Sequence, residues 1–84
     1  MIVDIVDFAF SSSNVTIRVG DTIEWDNTGS ATHTTTSDSG DPASWNSGNL
    51  NSGASFSFTF TKAGTYTYHC NIHPFMKGTI TVTA

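Results

Sequence analysis

Val15-Thr16-Ile17-Arg18-Val19-Gly20-Asp21-Thr22-Ile23-Glu24-Trp25-Asp26 is the stretch that decides the fold class. Val15, Ile17 and Val19 alternate with Thr16 and Arg18, and Ile23 and Trp25 alternate with Thr22, Glu24 and Asp26. Successive side chains of a strand point to opposite faces, so the period of two describes two half-buried strands separated by a turn at Gly20-Asp21. The same alternation returns at Phe56, Phe58 and Phe60 against Ser57, Thr59 and Thr61, then at Tyr66, Tyr68 and Cys70 against Thr67 and His69, and finally at Ile80 and Val82. Turn residues at Thr28-Gly29, Ser52-Gly53 and Ala63-Gly64 fall between the runs, which predicts short, antiparallel-compatible connections in an all-β sandwich or barrel.

Composition points the same way. The chain has 84 residues, enough for a single domain over 1–84 around one small core and too few for a substrate domain beside a cofactor domain. It holds one Leu, two Met and one Glu, but 14 Thr, 6 Ile and 5 Val. Strong helix formers are scarce and β-branched residues abundant. Three Lys plus Arg stand against seven Asp plus Glu, leaving no counter-charge for phosphate, so neither nucleic acid nor an anionic membrane is an expected partner. No apolar run is long enough to insert into a membrane, and the opening MIVDIVDFAF carries Asp4 and Asp7 where a signal peptide would be basic and then apolar.

Two segments break the pattern. Val3 and Ile5 alternate in one phase and Phe8 and Phe10 in the other, and the slip near Val6-Asp7 predicts a bulge or bend. Ser37 to Gly53 is rich in Ser, Asn, Gly and Asp, with Trp45 and Leu50 as its large apolar residues, and is expected to cross the surface as an ordered loop pinned by those two.

The chemistry is concentrated in Tyr68-His69-Cys70-Asn71-Ile72-His73-Pro74-Phe75-Met76. Cys70 is the only cysteine, so no internal disulfide forms, and Cys70, His73 and Met76 recur at intervals of three. One tight loop can aim all three at a common point. Thiolate, imidazole and thioether form a soft donor set suited to copper, and His33, in Ala31-Thr32-His33-Thr34, is the obvious fourth donor, on what reads as a strand following that of Trp25. Taken singly, Cys70 reads as a small buried core residue, Met76 as packing and His33 as a polar strand residue. Core packing does not explain Cys-x-x-His-x-x-Met together with an upstream histidine. His69 points to the strand face opposite Cys70 and is left out of the set.

These motifs resemble the cupredoxins, the type 1 blue copper proteins, and among them the plastocyanin and amicyanin group. The likeness runs through Val15 to Asn27, Thr32-His33-Thr34, Ser55 to Phe60 and Gly64 to Gly78, and the ligand loop looks most like that of amicyanin. It implies a small Greek-key β-sandwich of about seven or eight strands, with His33, Cys70 and His73 as strong equatorial ligands of one copper and Met76 as the weak axial ligand. Thr34 stands where the group usually has Asn, Ile72 stands where amicyanin has Pro, and the chain is shorter than typical members.

The resemblance also implies a function: single-electron transfer through Cu(I)/Cu(II), with no enzymatic activity, by a monomer working in the periplasm or another extracytoplasmic space. Redox partner proteins would dock near His73, Pro74 and Phe75. Hydrogen bonds to the Cys70 sulfur from the amide of Thr34 or of the ligand loop would tune the potential. The rival readings are a copper storage or delivery module and a structural Zn-binding β-domain, the latter disfavoured because Zn rarely takes Met.

Overall fold

Strands form where the alternation predicts them. In the computed structural model, which describes residues 1–84, they are β1 (Ile2–Val6), β2 (Ala9–Phe10), β3 (Asn14–Arg18), β4 (Thr22–Asn27), β5 (Thr36–Ser37), β6 (Ser55–Thr59), β7 (Gly64–His69) and β8 (Lys77–Thr83), with no helix. They make two four-stranded sheets, ordered β2-β1-β4-β6 and β3-β8-β7-β5, the expected sandwich. Val15 and Ile17, Ile23 and Trp25, Tyr66 and Tyr68, and Ile80 and Val82 all turn inward and bury. A half-buried strand of a sandwich must show one apolar face, and these do.

The connections differ from the simple hairpins that the turn signals suggest. Gly20-Asp21 joins β3 to β4 and Ala63-Gly64 leads from β6 into β7, yet each pair lies in different sheets. Within the sheets β1 runs parallel to β4 and β3 parallel to β8. A turn signal states that the chain reverses, and an inward apolar face is the same whether the next strand pairs alongside or crosses to the facing sheet. At Val6-Asp7, where a bulge or bend is expected, the chain bends so sharply that it reverses: β2 pairs antiparallel with β1, Val6 opposite Ala9 and Ile5 opposite Phe10. Phe8, at φ 79°, takes the left-handed conformation that this tight loop requires. Val19, expected to face the core, lies beyond the end of β3 and is exposed.

Trp45 and Leu50 pin the long loop as expected, both buried. The Trp45 ring stacks on Trp25 at 5.7 Å and on Phe58 at 5.2 Å and meets Phe60 edge-on, while its indole Nε1–H donates to the Thr35 hydroxyl at 3.1 Å. Such aromatic pairs add about 0.5–1.5 kcal/mol each beyond area burial. The loop therefore joins the core, and its far end reaches the segment that carries His33.

Candidate metal centre

Two chain segments meet at one end of the sandwich. Cys70 directly follows β7, in phase with Tyr66 and Tyr68, so its side chain is aimed inward and is fully buried. The Cys70 amide donates to the carbonyl of Met76 at 3.1 Å, and the Met76 amide to the carbonyl of His73 at 2.9 Å. These bonds close Asn71 to Phe75 into a tight loop joining β7 to β8. Met76 is buried at the loop's end and His73 is half-buried.

The sequence predicts a strand at His33, but the residue lies outside every regular strand. It makes an isolated antiparallel bridge with Leu50, its amide donating to the Leu50 carbonyl at 3.1 Å and accepting the Leu50 amide on its own carbonyl at 2.7 Å. The buried Asn27 braces the approach: its Nδ2 donates to the carbonyls of Ala31 and Leu50, and its Oδ1 accepts the amide of Gly29. A buried amide with three partners in two loop segments fixes the path of the chain into His33.

The donor atoms of His33, Cys70 and His73 all lie within 4.8 Å of one another. The Cys70 Sγ is 3.8 Å from Nδ1 of His33 and 3.8 Å from Nδ1 of His73. Metal–sulfur and metal–nitrogen bonds of about 2.3 and 2.1 Å meeting near a trigonal angle hold sulfur and nitrogen roughly 3.8 Å apart. The spacing thus fits one ion among the three donors, and a thiolate with two imidazoles is a set that suits copper.

The surroundings add to the fit. The Thr34 amide donates to Cys70 Sγ at 3.3 Å, the hydrogen bond to sulfur that the sequence led us to expect. The Thr34 hydroxyl accepts the Asn71 amide at 2.8 Å, so Thr34 ties the His33 segment to the loop that carries Cys70 and His73. His69 faces away, its Nδ1 paired with Asp38 at 2.5 Å and its Nε2 with Asn71 at 2.8 Å, and it takes no part in the cluster. Around His73 the surface is apolar: Phe75 and Ile72 are exposed, and Pro74 is too.

Two residues of the site escaped the sequence reading. Asp7 Oδ1 lies 3.0 Å from Nε2 of His33, and the Phe8 ring meets His73 edge-on at 5.1 Å and His33 at 6.1 Å. The Asp7 carboxyl is held well below the usual carboxylate range, first by the Ala31 amide, then by the Ser30 hydroxyl, the His33 ring and the Ser30 amide. The one signal for both residues was the slip of phase at Val6-Asp7.

Comparison with known proteins agrees with this geometry. Residues 1–83 match the family described as copper binding proteins, plastocyanin/azurin family. Amicyanin from Paracoccus denitrificans is 34% identical over 84 residues, which cover 98% of this chain and 64% of that protein, so the chain spans somewhat less than two thirds of that relative's length. Plastocyanin from Scenedesmus fuscus is 39% identical over 83 residues, covering 87% of this chain and 85% of its own. A reduced Cu(I) amicyanin variant superposes with a TM-score of 0.90 at 34% identity, over 98% of this chain and 80% of that one. With its sandwich, its ligand loop and a match along nearly its whole length, the chain belongs to the plastocyanin/azurin family of copper-binding proteins.

Proposed function

We propose that residues 1–84 act as one type 1 copper domain that carries single electrons between redox proteins, with His33, Cys70 and His73 as the close ligands and Met76 as the weak one. The observation that carries this reading is the buried convergence of Cys70 Sγ with the Nδ1 atoms of His33 and His73. Copper held by His33, Cys70, His73 and Met76 would supply a Cu(I)/Cu(II) couple, and a mixed set of imidazole, thiolate and thioether donors suits both oxidation states.

The chain's own residues supply rigidity. His33 is fixed by the Leu50 bridge and by Asp7, Cys70 by the Thr34 and Met76 bonds, and the two segments by the bond between Thr34 and Asn71. Ligands that are already held need little rearrangement when charge changes, and small rearrangement favours fast electron transfer. Four protein donors leave no open position for a substrate, so the domain is a carrier and not an enzyme.

His73 is the exit for the electron. It is half-buried where Cys70 and His33 are fully buried, and Pro74 and Phe75 give it an apolar rim on which a redox partner can dock. A net charge of -4 favours a cationic partner. The domain acts as a monomer in an extracytoplasmic space such as the periplasm, by its likeness to blue copper carriers. No helix of the chain is long and apolar enough to cross a membrane.

Voltammetry of the copper-loaded protein tests the reading. A reversible one-electron wave that survives repeated cycling is expected. Absence of a wave, or release of copper on reduction, would contradict it and favour storage or delivery.

A further inference from the structure

We propose that Asp7 is the positioning residue of the metal centre: its carboxylate holds the Nε2–H of His33, directs the bare Nδ1 toward Cys70, and biases the site toward the oxidised ion. The proposal rests on the reading of His33, Cys70 and His73 as copper ligands.

Oδ1 of Asp7 accepts the Ala31 amide at 3.0 Å and faces His33 Nε2 at 3.0 Å, while Oδ2 accepts the Ser30 amide at 3.0 Å and the Ser30 hydroxyl at 2.7 Å. A backbone N–H can only donate, and one such amide faces each oxygen. The Ser30 hydroxyl donates as well, and these three donors hold the group as a carboxylate, which leaves His33 as the donor of the fourth bond. The proton therefore sits on Nε2, and Nδ1 is left with its lone pair, 3.8 Å from Cys70 Sγ. His33 is fully buried, so no water competes for its ring.

The chain is built to bring Asp7 to this place. Asp7 and Phe8 are the two loop residues between β1 and β2, and the end of β1 is tied to the His33 loop by the Thr28 and Gly29 amides, which donate to the Ile5 carbonyl at 2.9 and 3.1 Å. Any Cβ at Gly29 would land on Oδ1 of Asp7 and press on its backbone nitrogen, so only glycine permits the approach. Phe8 holds an uncommon left-handed φ of 79° and lays its ring against both histidines. Consecutive residues of one turn thus address both imidazoles, one by a charge-assisted hydrogen bond and the other by contact.

A negative partner on the far nitrogen raises the basicity of a ligand imidazole and favours the more highly charged ion. Outer-shell partners of this kind are worth about 10–100-fold in metal affinity. Replacing the charge by a neutral amide in Asp7→Asn should lower the preference for Cu(II) over Cu(I) about tenfold, a rise in potential of about 59 mV for a one-electron couple.

Two measurements decide the matter. In the metal-free wild-type protein at pH 8, nitrogen-15 shifts of the His33 ring should show the proton on Nε2 and none on Nδ1. A proton on Nδ1 would overturn the proposal, and this reading needs neither copper nor a variant. In copper-loaded protein, Asp7→Asn should raise the potential, and a change below twofold in the Cu(II)/Cu(I) preference would overturn it. Ser30→Ala removes a donor from Asp7 but keeps the charge, so it should lower stability with a much smaller shift in potential. Equal shifts in the two variants would mean that Asp7 only anchors the loop. Failure of the wild-type protein to give a copper–thiolate spectrum would instead count against the ligand assignment.

Discussion

The amide of Thr34 points at the sulfur of Cys70 from 3.3 Å, and the hydroxyl of the same Thr34 accepts the amide of Asn71, the residue after that cysteine, at 2.8 Å. One residue thereby does two jobs. The backbone donates to the sulfur, and the side chain locks the His33 segment to the loop that carries Cys70 and His73.

Thr34→Val separates these jobs, since it removes the hydroxyl and keeps both the amide and the shape. The metal-free variant should lose about 1 kcal/mol of stability in urea denaturation, and Thr34→Asn should recover most of it. The copper–thiolate colour should persist in Thr34→Val, because the donor to sulfur is backbone. Unchanged stability would show that the bond between Thr34 and Asn71 contributes nothing.

Ligand variants should divide by role. Cys70→Ala should abolish the intense colour, while Met76→Leu should keep it and shift the potential upward. His69→Ala should bind copper with unchanged stoichiometry, because its ring bonds Asp38 and Asn71 on the opposite face. Copper titrations of the three variants, followed by absorption, check this set.

Trp45→Ala should cost about 3–5 kcal/mol. The ring stacks on Trp25 and Phe58 and bonds Thr35, so its loss opens a cavity and frees the loop that leads to Leu50 and the His33 bridge. A stability of about 5–15 kcal/mol is typical of small domains, and the urea midpoint should fall accordingly. A loss below 1 kcal/mol would mean that the loop holds itself in place.

Stability should also decline at alkaline pH. Burial pushes the Tyr68 phenol above its ordinary value of 10.0, and burial first of all does the same to Tyr66. The unfolded phenols ionise near 10 while the folded ones keep their protons. Their contribution is therefore complete below that value and is lost as pH rises above it. Tyr68→Phe should flatten the fall in urea midpoint between pH 9 and 11 relative to wild type.

The strands, and the short loop that brings Cys70 and His73 to one place, were legible because each depends on spacing. Period two survives in Phe56-Ser57-Phe58 or Tyr66-Thr67-Tyr68 whatever the sheet order, and Cys70, His73 and Met76 lie within one short loop. Sheet membership was not legible, because Gly20-Asp21 reads the same whether β4 pairs with β3 or crosses to the facing sheet. Asp7 was hidden for a related reason. It meets His33 only because β1 lies parallel to β4 and turns back at Phe8, a relation between residues 26 apart that no local pattern encodes. The phase slip marked the place without revealing that the chain reverses there.

Titration of the metal-free protein with Cu(II), followed by visible absorption and electron paramagnetic resonance, tests whether Cys70, His33 and His73 hold one copper ion together. One copper per chain, intense thiolate-to-copper colour, narrow hyperfine splitting, and bleaching by ascorbate that reverses on reoxidation are expected. Weak colour with a wide hyperfine splitting would contradict this, because Cys70, His33 and His73 would then not hold the ion together.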